Sequence, residues 1–196
     1  MDVIACEDTR RTRALLAHFD IHTPTTSYFA GNMTRRGPEL LRQLGEGRSV
    51  ALVTDAGTPA LSDPGFMLVR DARAAGVRVV PVPGASALTA ALSVAGVPAD
   101  RAVFEGFLPV KPGRRLTRLR ALRELETTVV VFESPHRIVA TLNAIAEVFG
   151  DTPVLLAREL TKQFEDVVLA PPAVHLERLA AGAVRGEFVV VIPPAR

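Results

Sequence analysis

Short apolar runs rich in valine alternate along the chain with amphipathic segments of helical period. Strands buried in a parallel sheet read as continuous apolar runs, whereas the helices that cover the sheet keep one polar face. The pattern predicts strands at residues 2–6, 49–54, 77–82, 127–133, 153–158 and 187–192, and helices at 9–19, 37–44, 63–75, 85–95, 115–124, 135–149 and 172–181. This alternation is typical of an α/β protein.

A seam between two domains is indicated by the prolines and glycines that cluster between residues 98 and 113. Such clusters are common where one domain ends and the next begins. We therefore expect an N-terminal α/β domain at residues 1–105 and a C-terminal α/β domain at residues 106–196. The first should hold three strands in a mostly parallel sheet, and the second a smaller mixed sheet.

The composition is that of a folded protein, because 48% of the 196 residues are hydrophobic and 22% are charged. Cys6 is the single cysteine, so no disulfide can form within the chain and nothing requires an oxidising compartment. The uncharged stretch 79–99 is long enough to span a membrane, but its prolines interrupt any continuous helix. Early acidic residues also argue against a signal peptide. We expect a cytoplasmic protein with no membrane partner.

Arginine dominates the cations of this chain, whose net charge is +2, and Lys111 and Lys162 are the only lysines. Residues 111–123 carry six cations and no acidic residue on a segment whose leucines keep helical spacing. A polyanion would relieve the repulsion among these charges, and RNA is such a partner. The predicted RNA-binding residues are Arg10, Arg11, Arg13, Lys111, Arg114, Arg115 and Arg118. An ordinary solvated surface is the alternative.

Two loops of small residues follow predicted strands: a first loop at residues 54–65 and a second loop at residues 83–87. Ligands of open α/β sheets bind at the carboxyl ends of strands, and Gly57 allows a ligand to approach the backbone closely. Asp63 and Pro64 suit the N-cap and first position of the next helix. A tight, well-capped connection without a ligand is the alternative. Neither loop has the glycine pattern of a dinucleotide or Walker site.

Glu133 ends a valine-rich predicted strand, where a buried carboxylate requires a partner. Arg137, Arg158 or Lys162 could supply it. His136 follows Glu133 by three residues, near the start of a predicted helix, and could act as a base, although such a histidine is more often structural. The four histidines lie far apart in sequence and the cysteine is alone, so no metal site is expected.

Seven segments together resemble the ribosomal RNA small subunit methyltransferase I family of the tetrapyrrole methylase superfamily. They are Cys6-Glu7-Asp8-Thr9-Arg10, residues 54–65, residues 83–86, Glu105-Gly106-Phe107-Leu108-Pro109, residues 133–137, residues 158–162 and Gly186-Glu187-Phe188. They follow one another in the same order along nearly the whole chain. Any one of these segments alone would be weak evidence, because short motifs recur by chance.

The resemblance implies a two-domain tetrapyrrole-methylase-like fold in a homodimer that binds S-adenosyl-L-methionine. It also implies methyl transfer to the ribose 2′-oxygen of a cytidine in 16S rRNA of the small ribosomal subunit. The residues it implies at the cofactor are Ala56, Gly57, Thr58, Leu61, Ser86, Ala87, Glu133 and Leu160. We expect Glu133 to be the catalytic base, with Lys162 and Arg137 as electrostatic partners.

The chain departs from the family pattern at its start, because family members begin with a further strand and loop upstream of the position of Met1 here. We therefore expect the N-terminal domain to be incomplete. Two other functions stay open: a C-methyltransferase acting on a precorrin or uroporphyrinogen, and a non-catalytic RNA-binding fragment.

Overall fold

A computed structural model describes residues 1–195, in which most of the predicted strands and helices are present. The elements are β1 (Val3–Cys6), α1 (Thr9–His18), β2 (Thr25–Ser27), α2 (Met33–Gly45), β3 (Val50–Val53), α3 (Phe66–Ala74), α4 (Ala87–Val94), β4 (Ala102–Phe107), α5 (Pro112–Arg123), β5 (Thr128–Glu133), α6 (Ile138–Phe149), β6 (Val154–Arg158), β7 (Asp166–Ala170), α7 (Pro172–Ala180) and β8 (Phe188–Ile192). The chain divides into a first unit, Met1–Ser86, and a second unit that begins at Ala87.

The first unit holds a three-stranded parallel sheet with the order β2-β1-β3. All four residues of β1 are buried, which agrees with its apolar sequence and its place between two other strands. A small core forms where Leu40 of α2 and Leu68 of α3 pack with Val3, Ala5 and Tyr28. This packing fixes the carboxyl ends of β1 and β3, from which the candidate site extends.

The second unit holds a five-stranded mixed sheet with the order β4-β5-β8-β6-β7. Only β4 and β5 are parallel, and the other pairs are antiparallel. Successive residues of β5 face opposite sides of the sheet, as the strand period requires. Val129 and Val131 belong to a large core with α5 and α6, whereas Val130 packs with Ala91 and Ala95 near α4.

The predicted fold class is confirmed. The prediction that the second sheet is the smaller one is wrong, because the second sheet has five strands and the first has three. Residues 77–82 form no strand, and Val82 is 85% exposed. Pro81 and Pro83 offer no backbone N–H to pair with a neighbour. The predicted helix at 63–75 starts later, at Phe66, with Gly65 rather than Asp63 before it.

Three strands are absent from the predicted pattern: β2, β4 and β7. β2 has only three residues, and β4 is interrupted by a bulge between Phe104 and Gly106.

The compact units divide before α4, because α4 packs on the second sheet. The domain boundary after residue 105 stays a prediction. Within residues 1–195, no helix combines the length and apolar character needed to cross a membrane.

His175 of α7 is fully buried, and one ring nitrogen lies 2.9 Å from the carbonyl oxygen of Val154. Burial lowers the pKa of His175 from 6.5, and the nearby charge of Arg178 acts in the same direction. The folded protein therefore holds His175 neutral. Its contribution to stability is complete above the unfolded pKa of about 6.5 and is lost as pH falls below that value.

We accordingly expect the melting temperature to fall from pH 7 to pH 5, and to fall less in His175→Gln than in the unaltered protein. Thermal scans across this range measure the difference. The control is His18→Gln, since His18 is exposed on α1. Equal slopes for the unaltered protein and His175→Gln would contradict the prediction.

Candidate active site

The carboxyl ends of β1 and β3 lie side by side, because Cys6 pairs with Val53 in the parallel register. Two residues beyond each paired position stand Asp8 and Asp55. The backbone N–H of Asp8 donates to Oδ1 of Asp55 at 3.2 Å. Oδ2 of Asp55 lies 3.4 Å from Nη1 of Arg11. Asp55 therefore connects the first loop to the start of α1.

Asp8 caps α1, and its Oδ1 accepts the backbone N–H of Arg10 at 2.8 Å. The Arg10 guanidinium also donates to both carboxylate oxygens of Asp8. These hydrogen bonds lower the pKa of Asp8 to about 2. A negative charge at the beginning of a helix is also favourable to the helix dipole. The first turn of α1 therefore has a fixed position despite its exposure.

The first loop follows an unusual backbone path. Gly57, Ala60, Ser62 and Gly65 all have positive φ angles. Among residues 1–195, six residues other than glycine have positive φ, and four of them lie in two segments predicted at the cofactor: Ala60, Ser62, Glu159 and Thr161. Left-handed residues with a side chain cost free energy and cluster at functional sites. This strain favours a ligand-binding loop over an ordinary connection.

Open space borders Gly57, since a Cβ built on it would meet no atom within 4 Å. The Thr58 hydroxyl donates to the carbonyl oxygen of Ala85 at 3.2 Å, which joins the first loop to the second. Ala56, Gly57 and Thr58 are exposed, whereas Leu61, Ser86 and Ala87 are half-buried. The structure therefore joins the first loop to the second loop through Thr58 and Ala85, and the role of these residues at the cofactor stays a prediction.

Glu133 ends β5 and is 2% exposed. Oε2 accepts the Thr141 hydroxyl at 2.7 Å, and Oε1 accepts the backbone N–H of Ser134 at 2.9 Å. Nε of Arg137 lies 3.4 Å from the same Oε1. The expected partner of the buried carboxylate is thus present. The base assignment stays a prediction, and these contacts favour a supporting role for Glu133.

Two arginines hold the backbone that leads from β4 to α5. Arg137 donates to the carbonyl oxygen of Leu108, and Arg115 donates to those of Pro109 and Val110 at 3.2 and 2.9 Å. Arg115 is only 5% exposed. This burial and these contacts argue against an RNA-binding role for Arg115, because its guanidinium is committed to the carbonyl oxygens of Pro109 and Val110.

Lys162 follows β6 and donates to Glu159 at 2.9 Å and to Glu187 at 2.8 Å. Partial burial opposes the charge of Lys162, but these two hydrogen bonds outweigh it and raise the pKa of the ammonium group. The same contact lowers the pKa of Glu159. Leu160 is half-buried against the apolar cluster near α4. Lys162 is fixed by two carboxylates at the exit of β6, and its catalytic role stays a prediction.

The other predicted RNA-binding residues are exposed, but several already have partners. Arg118 makes two hydrogen bonds of 2.6 Å to Glu105, and Arg13 donates to Thr25 at 3.0 Å. Lys111 and Arg114 form no ion pair with any residue in the described range 1–195. Near the start of α5, these two side chains are therefore the most available for binding a phosphate.

The contacts of Thr141 and Glu105 had no recognisable sequence signal, because each depends on which elements become neighbours. The capping contact of Asp8 did have one, since aspartate directly before a predicted helix is a preferred N-cap. Thr141 lies on the turn of α6 that faces Glu133, and Glu105 is on a strand that the pattern does not predict. No group of histidine, cysteine and acidic residues in the described part of the chain could hold a metal ion.

The fold resembles that of a cobalt precorrin-4 methyltransferase of cobalamin biosynthesis, with a TM-score of 0.69 and 17% sequence identity. The alignment covers 98% of this chain and 83% of that one. Residues 1–173 match the family model of the tetrapyrrole (corrin/porphyrin) methylases. The fold and the paired loops thus define a methyltransferase of this class.

Two curated relatives narrow the class. Ribosomal RNA small subunit methyltransferase I of Mesorhizobium japonicum is 48% identical over 99% of this chain, and that of Xylella fastidiosa is 48% identical over 98%. This chain spans 67% and 72% of the lengths of these relatives. The chain belongs to the ribosomal RNA small subunit methyltransferase I family.

Proposed function

We propose that this protein transfers a methyl group from S-adenosyl-L-methionine to the ribose 2′-oxygen of a cytidine in 16S rRNA of the small ribosomal subunit. The observation that carries the proposal is the 48% identity to enzymes named for the small-subunit ribosomal RNA, which extends across nearly the whole chain. The strained first loop supports the choice of a ligand site at the carboxyl edge of the first sheet.

The residues of the two loops fit a methyl donor of this kind. Open space beside Gly57 leaves room for a ligand against the backbone, and the bond between Thr58 and Ala85 keeps the two loops together. We propose that Ala56, Gly57, Thr58, Leu61, Ser86 and Ala87 hold the donor, together with Glu133 and Leu160 from the second unit. When bound, S-adenosyl-L-methionine supplies an electrophilic methyl group on a sulfonium.

The role of the protein in such a displacement is chiefly to position the reactants. A loop with a fixed backbone path and a rigid attachment to α1 can hold one reactant in place while basic side chains orient the RNA. The 2′-hydroxyl must also give up a proton, for which a base is useful. Glu133, with Lys162 and Arg137 as electrostatic partners, is the predicted base to be tested.

The function is tested with methyl-labelled S-adenosyl-L-methionine and small ribosomal subunits that lack the modification. We expect label in 16S rRNA, and a 2′-O-methyl group at a single cytidine when the position is mapped by resistance to alkaline cleavage. Label on a base, or transfer to uroporphyrinogen instead, would contradict the proposal. Binding to subunits without transfer would favour the non-catalytic alternative.

The RNA interface is tested by reversing exposed charges. We expect Lys111→Glu with Arg114→Glu to weaken binding to small subunits. The slope of log affinity against log salt should also decrease by about one for each phosphate that the variant no longer neutralises. The matched control is Arg115→Ala, which removes a buried cation of the same helix.

The Arg115→Ala control should lower the melting temperature. The slope of log affinity against log salt for its folded fraction should stay unchanged. Filter binding at several salt concentrations measures the slopes. An unaltered slope in the double variant would identify the start of α5 as ordinary solvated surface.

We further propose a homodimer in the cytoplasm, where ribosomal subunits are found. The apolar side chains of Leu15 and Phe19 on and after α1 are 59% and 63% exposed, which supports a covering partner for that region. Sedimentation equilibrium of the purified chain tests the dimer, and a concentration-independent monomer mass would contradict it.

A further inference from the structure

The ion pair between Arg11 and Asp55 connects two features of the first unit: the basic start of α1 and the first loop. The side chains of the two partners differ in exposure and in their contacts. The Asp55 side chain is 21% exposed and also accepts the backbone N–H of Asp8, whereas the Arg11 side chain is 74% exposed. Asp55 is therefore held in place, while Arg11 can exchange its partner at little cost.

A phosphate is a strong competitor for Arg11. Guanidinium groups form bidentate, charge-assisted hydrogen bonds to phosphate, and the contact to Asp55 is a single one at 3.4 Å. Exposed pairs of this kind contribute little to stability. When Arg11 turns to an RNA phosphate, Asp55 keeps its bond to Asp8 but loses its counter-charge.

We propose that Asp55 is a positioning residue that couples RNA binding at α1 to methyl-donor binding at the first loop, an inference that rests on the proposed function. The released carboxylate lies in the same loop as Gly57 and Thr58, well within a Debye length of a ligand bound there. A sulfonium donor has a net charge of +1, and its thioether product is neutral. RNA binding thus strengthens the binding of the donor and leaves that of the product unaffected.

The coupling is reciprocal, since two ligands that share one equilibrium change each other's affinity by the same factor. A donor at the first loop accordingly frees Arg11 for RNA. Because the arginine of this pair is largely exposed, we expect each ligand to raise the affinity for the other by a factor of about two to five. Methyl transfer removes the positive charge of the ligand, so the product is not bound more tightly when RNA is present. A new donor molecule therefore replaces the product more easily.

The test uses two ligands that do not react. Sinefungin carries an amine in place of the sulfonium and has the charge of the donor, and S-adenosylhomocysteine is the neutral product. Equilibrium dialysis measures their affinities with and without small ribosomal subunits. In the unaltered chain, subunits should raise the affinity for sinefungin about two- to fivefold and leave that for S-adenosylhomocysteine unchanged.

Two variants should change the affinity in opposite directions. Arg11→Gln frees Asp55 permanently, so its affinity for sinefungin without subunits should rise to the level reached with subunits. Asp55→Asn keeps an oxygen for the Asp8 N–H but has no charge, so its affinity for sinefungin should fall. In both variants the effect of subunits should disappear. Arg10→Gln is the control, because Arg10 pairs with Asp8; it should weaken subunit binding and retain the coupling.

A fold defect would move both variants in the same direction, which would overturn the inference. The inference is also overturned if subunits raise sinefungin affinity equally in Asp55→Asn and in the unaltered chain. If the unaltered chain binds neither sinefungin nor subunits, the proposed function itself fails. The separate affinities of the unaltered chain therefore distinguish the two failures.

Discussion

Gly57→Val is expected to abolish binding of S-adenosyl-L-methionine while the protein stays folded. A Cβ at Gly57 would meet no protein atom within 4 Å, so the valine side chain would occupy space that we assign to the ligand. We expect a loss of affinity of about 100-fold or more, which corresponds to ~2.7 kcal/mol. Isothermal titration with S-adenosyl-L-methionine measures it.

Backbone strain must be separated from this steric effect, because Gly57 has a φ of +68° and a β-branched residue is unfavourable there. Gly76 offers a matched control: its φ is +75°, its surroundings are equally open, and it follows α3 rather than the first loop. Gly76→Val should lose similar stability and keep full affinity. If both variants bind normally, the first loop is an ordinary connection.

Much of the fold was predictable because the buried strands of this chain are continuous apolar runs. β1, β5, β6 and β8 are almost entirely buried, and all four follow the predicted pattern. The pattern fails where valine content does not correspond to a place in a sheet. Residues 77–82 contain four valines but are unpaired and largely exposed, and β7 is paired although much of it is exposed.

The candidate site was predictable as a set of segments but not as a set of contacts. Gly57 and Glu133 could be selected because glycine at a strand end and a carboxylate on a buried strand are unusual in themselves. Helical period distinguishes Arg115 from Arg114, because Arg115 shares the face of Leu119 and Leu122, but it does not predict which carbonyl oxygens the Arg115 guanidinium contacts. The Asp55 link likewise depends on the register of β1 and β3.

Glu133→Gln is expected to reduce stability first and the methylation rate second. The carboxylate has no exposed surface and accepts two hydrogen bonds in addition to its ion pair with Arg137. The amide removes the charge that faces a largely buried guanidinium, and its NH2 group cannot accept the Thr141 hydroxyl proton. We expect a loss of ~2 kcal/mol or more in the free energy of unfolding.

The control for this loss is Glu147→Gln, which removes the partner of Arg120 on the surface, where such pairs contribute about 1 kcal/mol or less. Chemical denaturation and the single-turnover rate are measured on the same preparations. A normal rate per folded molecule in a destabilised Glu133→Gln variant would exclude Glu133 as the base. The role of Glu133 would then be to hold Arg137, which donates to the carbonyl oxygen of Leu108. A rate that falls far more than stability, with unchanged ligand affinities, would instead mean that the carboxylate accepts the 2′-proton, and that the contacts to Ser134 and Thr141 rearrange when RNA binds.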